Sequence, residues 1–183
     1  MKVLLGHSVF SPENAAWYGE IAAAAGPGLD VRPFCVTLSP PGPRLSFREL
    51  DARWRRRDRT LFDMYRRLQA AAADCDVFLL YNGANVHPEF LECLPTFNVY
   101  CCFDDPESSA DLSAPVAASF DASFFGNVAA RFQYRTWGCR RLEWLPVFTA
   151  PGDVPSREEG DALLCSARDA NHRADSVRCT GAY

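Results

Sequence analysis

Short apolar runs alternate along this chain with longer segments in which apolar residues recur every three or four positions. The runs are Lys2 to Leu5, Val31 to Leu38, Asp76 to Tyr81, Phe97 to Phe103, Ala122 to Phe125 and Arg141 to Leu145. Near-continuous apolar character over four to eight residues marks strands buried on both faces, as in a parallel sheet. Between them, Ser11-Pro12 opens a helix that Gly26 stops, and Ser46-Phe47-Arg48-Glu49 is a capping-box pattern. Phe47, Leu50, Trp54, Leu61, Tyr65, Leu68 and Ala72 then form one apolar stripe. Continuous to Ala73, that helix would be about 40 Å long. Pro88 to Leu94 is predicted as a short helix, Ser113 to Phe120 as another, and Asn127 caps a helix through Trp137 that Gly138 terminates.

Strands alternating with helices predict an α/β fold: a doubly wound, mainly parallel, Rossmann-like sheet of six strands. The long helix is the natural crossover past strand one, which gives the order 2-1-3-4-5-6. Its switch point lies between strands one and three, and ligands of such sheets bind outside the carboxyl ends of the strands. His7 and Ser8, the loop Asn82-Gly83-Ala84-Asn85-Val86-His87, and the run Asp104-Asp105-Pro106-Glu107-Ser108-Ser109 all follow strands and would line one crevice. After Phe148 the pattern fails. Residues 149–183 read as linker and weakly ordered tail, which leaves 1–148 as the domain.

Composition narrows the class. The chain has 183 residues, 48% of them hydrophobic and 23% charged, so it is globular and neither disordered nor membrane-embedded. No apolar run reaches a membrane span and the N-terminus turns polar too early for a signal peptide, which predicts a cytoplasmic protein. A net charge of −4 gives no general attraction to nucleic acid. Arg53, Arg55, Arg56, Arg57, Arg59, Arg66 and Arg67 crowd one segment, read as a solvated helix face. The eight cysteines lack Cys-x-x-Cys or Cys/His ligand spacing and read as reduced core residues, so neither a zinc site nor any other metal site is expected. The first strand lacks G-x-G-x-x-G, which removes the main support for dinucleotide binding. A phosphoryl-accepting receiver needs acidic residues after the first strand and a later lysine; Gly6-His7-Ser8 stands there and Lys2 is the only lysine. No nucleophile elbow supports a hydrolase.

Taken in order, Tyr81 to Glu89, Val99 to Ser109, Phe125-Gly126-Asn127 and Tyr134 to Gly138 resemble the N-terminal half of a CgeB-like, spore-maturation-protein-like glycosyltransferase of GT-B architecture. The resemblance covers roughly residues 1 to 150. It implies transfer of a sugar from a nucleotide-sugar donor, with this half holding the acceptor, no metal required and no cofactor in this chain. The donor-binding C-terminal domain of that family has no counterpart here. The chain is then a truncated product, one half of a split enzyme completed by a C-terminal-domain partner chain, or a non-catalytic acceptor-binding relic.

Glycosyl transfer needs a base beside the acceptor hydroxyl, and Asp104, Asp105 and His7 are the candidates. Of the two aspartates, one is expected to face the crevice and the other to cap the following turn. Ser8, Asn82, Gly83, Asn85, His87, Ser108 and Ser109 are candidate acceptor contacts, since neutral amides and hydroxyls suit sugar hydroxyls. Each also has a plainer reading: Asn82-Gly83 as a turn, Asn85 as satisfying loop backbone, His87 as a helix cap or packing residue, and the serines as caps. A non-catalytic interaction module on the same fold is the alternative.

Overall fold

The computed structural model describes residues 1–81, 85–106 and 109–145. The expectation of a weakly ordered tail, and the cysteines Cys165 and Cys179, lie outside them. Six strands form one sheet: β1 (Lys2–His7), β2 (Asp30–Cys35), β3 (Val77–Tyr81), β4 (Phe97–Cys102), β5 (Ala122–Phe125) and β6 (Leu142–Trp144). Every neighbouring pair is parallel, in the order β2-β1-β3-β4-β5-β6, and helices flank the sheet. This is the Rossmann-like arrangement the alternation predicts, with the β1/β3 switch point in place. Apart from their first residues, β1 and β4 are buried throughout, whereas the edge strand β2 has no fully buried residue and tolerates Pro33.

Side-chain alternation gives the sheet two distinct faces. Leu4, Phe78, Leu80, Tyr100, Cys102 and Phe125 join the main core cluster, while Val3, Leu5, Val99 and Cys101 are buried outside it. β1 runs two residues past its expected end, because Gly6 and His7 still pair with Phe34 and Cys35. Gly6 is there for space. A Cβ at that position would stand 2.7 Å from Phe78 Cε2.

The single long helix expected between residues 46 and 73 is two helices, α2 (Phe47–Arg55) and α3 (Arg59–Ala72). Asp58 N–H donates to the Arg53 carbonyl at 2.9 Å and Arg57 N–H to the Trp54 carbonyl at 3.0 Å, the paired bonds of a Schellman stop. The residue after the cap must then be left-handed, and Arg57 has φ 53°. Asp58 restarts the chain as N-cap of α3, its Oδ1 accepting from Leu61 N–H at 3.1 Å. Its Oδ2 faces Arg53 at 3.3 Å and Arg56 at 3.2 Å. The apolar stripe survives the break: Leu50, Leu61, Tyr65, Leu68 and Ala72 are buried, Met64 joins them, and Phe47 and Trp54 pack at the margin.

α1 (Pro12–Ala23) buries only Tyr18 among its described side chains, leaving Trp17 and Ile21 exposed. α4 (Pro88–Leu91) ends three residues short of the expected Leu94. The helix expected at Ser113 to Phe120 is instead α5 (Ser109–Leu112) followed by a 3₁₀ turn at Ala117–Ser119, since Pro115 denies the helix a donor. Asn127 does cap, its Oδ1 accepting from Ala129 N–H at 3.0 Å, but it opens a 3₁₀ turn that leads into α6 (Arg131–Thr136).

The amino-terminal side of the sheet is tied by Asp74, which meets Lys2 Nζ and Arg32 Nη1 at 3.1 Å each. These cations, Arg32 first, hold its carboxyl at about 2. No helix among the described residues is long and apolar enough to cross a membrane.

Candidate functional site

At the carboxyl ends of β1 and β3, residues distant in sequence meet. Asn85 Nδ2 donates to Ser8 Oγ at 3.3 Å, and both residues are buried. Tyr65, on the buried face of α3, holds the Asn85 loop from beneath: its hydroxyl donates to the Asn85 carbonyl at 3.1 Å and accepts from His87 N–H at 2.7 Å. Across β1, Val9 N–H donates to Thr37 Oγ1 at 2.8 Å. The amide and hydroxyl at the switch point are thus held in place by neighbouring elements.

His7 ends β1 on the face opposite the main core. Its ring stacks on Tyr18 with centroids 4.1 Å apart, and Tyr18, Trp17, Tyr81 and Phe103 continue the contact as inclined rings 5.0–5.8 Å apart. Period-two alternation puts His7, Tyr81 and Phe103 on one face of adjacent strands, and α1 adds the other two rings. Burial pulls the His7 pKa below its ordinary value, against an opposing hydrogen bond from the Ser8 backbone. The imidazole is therefore neutral near pH 7 and keeps a basic nitrogen. His7 Nδ1 and Asn85 Oδ1 are enclosed without a side-chain partner among the described residues, as is Asp105 Oδ1 after β4.

His87 serves as the N-cap of α4. Its Nδ1 accepts from Glu89 N–H at 3.3 Å and its Nε2 faces Asp51 Oδ1 at 3.4 Å. The ring stacks on Trp54 at 4.7 Å and on Phe47 at 6.0 Å. Phe47, Asp51 and Trp54 lie on one face of α2, so the imidazole keys α2 to the β3 exit. With Nδ1 accepting, the proton sits on Nε2 and points to Asp51.

The paired aspartates after β4 diverge. Asp104 is half-exposed and meets Arg44 Nη1 at 3.5 Å; that guanidinium also lies over the Phe10 ring at 5.1 Å. Asp105 is 1% exposed. Its Oδ2 accepts from Ser113 Oγ at 2.5 Å and from the Tyr134 hydroxyl at 2.7 Å, while Tyr100 and Ser113 share a hydrogen bond of 2.9 Å. Burial raises the Tyr134 and Tyr100 pKa values far above the ordinary range, which keeps both hydroxyls protonated. Asp105 therefore binds together β4, the segment after α5, and α6.

Of the other expected contacts, Asn82, Gly83 and Ser108 lie outside the described residues, and Ser109 opens α5. Among the described residues no group of three or more His, Cys, Asp or Glu could hold a metal ion. The six described cysteines are free. Burial raises Cys101 to about 12 and Cys102 to about 11, so neither is a nucleophile at neutral pH. Cys93 departs from the core expectation, because it faces solvent at the end of α4.

Sequence reasoning missed Tyr65, Tyr18, Tyr134 and Ser113. Tyr65 is indistinguishable in the apolar stripe from a residue that only packs, and nothing local ties Ser113 or Tyr134 to Asp105. Comparison with protein-family models, with curated proteins and with solved structures gave no match.

Proposed function

We propose that this chain is the acceptor-binding half of a GT-B-like glycosyltransferase that draws its sugar from a nucleotide-sugar donor and is completed by a C-terminal-domain partner chain. The observation that carries the reading is the Asn85–Ser8 hydrogen bond at the β1/β3 switch point, where neutral groups of the kind that engage sugar hydroxyls are held beside the neutral base His7. The ordered sequence runs that resemble the CgeB-like group support it. In this reading His7 or Asp104 takes the proton of the acceptor hydroxyl. Asp105, whose Oδ2 is occupied by two hydroxyls, positions the loop that carries Asp104.

A second reading, a non-catalytic interaction module, is favoured by one feature. α1 exposes Trp17 at 44% and Ile21 at 37% on one face.

The test is calorimetric titration of the chain with nucleotide sugars, alone and after adding a candidate C-terminal-domain protein. Binding and turnover only in the pair is the expected result, with turnover reduced by His7→Ala or Asp104→Asn. Tight nucleotide-sugar binding at the strand ends by the chain alone would overturn the assignment of this half. Association without turnover would favour the interaction module.

A further inference from the structure

The Schellman stop between α2 and α3 carries an arginine where glycine is the unstrained choice. A left-handed backbone crowds the Cβ of any residue but glycine, and Arg57 sits there at φ 53°. Nothing in the fold offsets this strain through the side chain: the Arg57 guanidinium has no hydrogen-bond or ion-pair partner among the described residues. Its neighbours are committed. Arg53 and Arg56 pair with Asp58, Arg55 with Asp51, and Arg59 and Arg66 with Asp63.

Arg57 also lines an open groove of about 590 Å³ together with Trp54, Arg55, Phe62 and Glu89. Trp54 and Phe62 stack at 5.0 Å and supply an apolar wall. Trp54 Nε1 donates to Glu89 Oε2 at 3.0 Å, which fixes that carboxylate, whose charge acts on Arg55. Arg55 gives its Nε to Asp51 and is also attracted electrostatically by Glu89, so among the described residues Arg57 is the uncommitted cation of the groove. Between residues 46 and 73 there are eight arginines against four carboxylates, in a chain whose net charge is −4. A free guanidinium fork beside an apolar wall, in a segment with excess positive charge, matches a phosphate attached to a small organic body.

We propose that this groove binds a small organic phosphate, with Arg57 as its anchoring cation. The strained backbone is then kept because it aims the guanidinium into the groove. This site is separate from the Ser8/Asn85 pair and does not rest on the glycosyltransferase reading.

The test is calorimetric titration of the full chain at low ionic strength with inorganic phosphate, a hexose monophosphate and the unphosphorylated hexose. Saturable binding of the two phosphates and none of the free hexose is expected, tighter for the hexose monophosphate. Arg57→Gln should weaken binding about ten-fold or more, the loss of one charge-assisted contact. Arg67→Gln, which removes an equal charge outside the groove, should leave it unchanged. Arg57→Gly should lose binding as Arg57→Gln does while raising Tm, since it relieves the left-handed strain. Equal losses in Arg57→Gln and Arg67→Gln, no saturable binding, or a fall in Tm for Arg57→Gly would each overturn the proposal. So would a loss of binding in Asn85→Ala that Arg57→Gln does not share.

Discussion

The carboxyl ends of β4 and of β1/β3 sit on the same edge of the same sheet, yet their polar groups are bonded to different extents. After β4, Asp105 receives two hydroxyl donors on one oxygen, and those donors belong to a wider network through Tyr100. At β1 and β3, the Asn85 side chain makes a single longer bond to Ser8, and the His7 ring stacks on Tyr18. Each end keeps a buried side-chain oxygen without a partner among the described residues, Asp105 Oδ1 and Asn85 Oδ1. The first belongs to a carboxylate whose other oxygen anchors a network of short bonds that specifies the fold; the second belongs to an amide held by one long bond and keeps more bonding capacity for something else. Of the acidic pair most conspicuous in the sequence, Asp105 thus ties the structure together, while the half-exposed Asp104 and the quieter switch point keep groups that a ligand can reach.

The largest effect should come from breaking the β4 knot. Asp105→Ala leaves the Tyr134 hydroxyl and Ser113 Oγ without this acceptor, and should cost about 2–4 kcal/mol in urea unfolding. Tyr134→Phe, which removes one donor and leaves the carboxylate paired with Ser113, should cost about 1–3 kcal/mol. A loss below that range in both would erase the distinction between the two ends.

Asn85→Ala should cost less, about 1 kcal/mol, because it removes one long bond and one atom that has no partner. In a reconstituted two-chain enzyme the same change should lower turnover or acceptor affinity more than it lowers stability. A stability loss as large as that of Asp105→Ala would make the switch point another structural knot.

The smallest effect is the pH dependence that His7 imposes. Its folded pKa lies below the ordinary 6.5, so the unfolded chain binds the proton more readily. The contribution is complete above pH 6.5 and is lost as pH falls through the folded value. Chemical unfolding between pH 7 and about 5 should show stability falling with pH, and His7→Asn should flatten that slope. An unchanged slope would mean that His7 is not held neutral by burial.

The architecture was legible because its causes are local. Uninterrupted apolar runs such as Val77 to Tyr81 can only be buried strands, the stripe from Leu50 to Ala72 can only be a packed face, and the crossover it implies fixes the strand order. The break at Arg57 was not legible, because a Schellman stop is read from glycine and here an arginine occupies its place. Asp58, a good N-cap before Leu61, was the available signal.

Residue types alone determined where chemistry could lie: at the strand ends, among His7, Ser8, Asn85, His87 and the two aspartates. Only the tertiary structure divided them. Asp105 meets Tyr134 from 29 residues away, and Asn85 meets Ser8 across 77. No local pattern encodes such pairings, because whether a buried polar group finds its partner depends on which strands and helices the whole chain brings side by side.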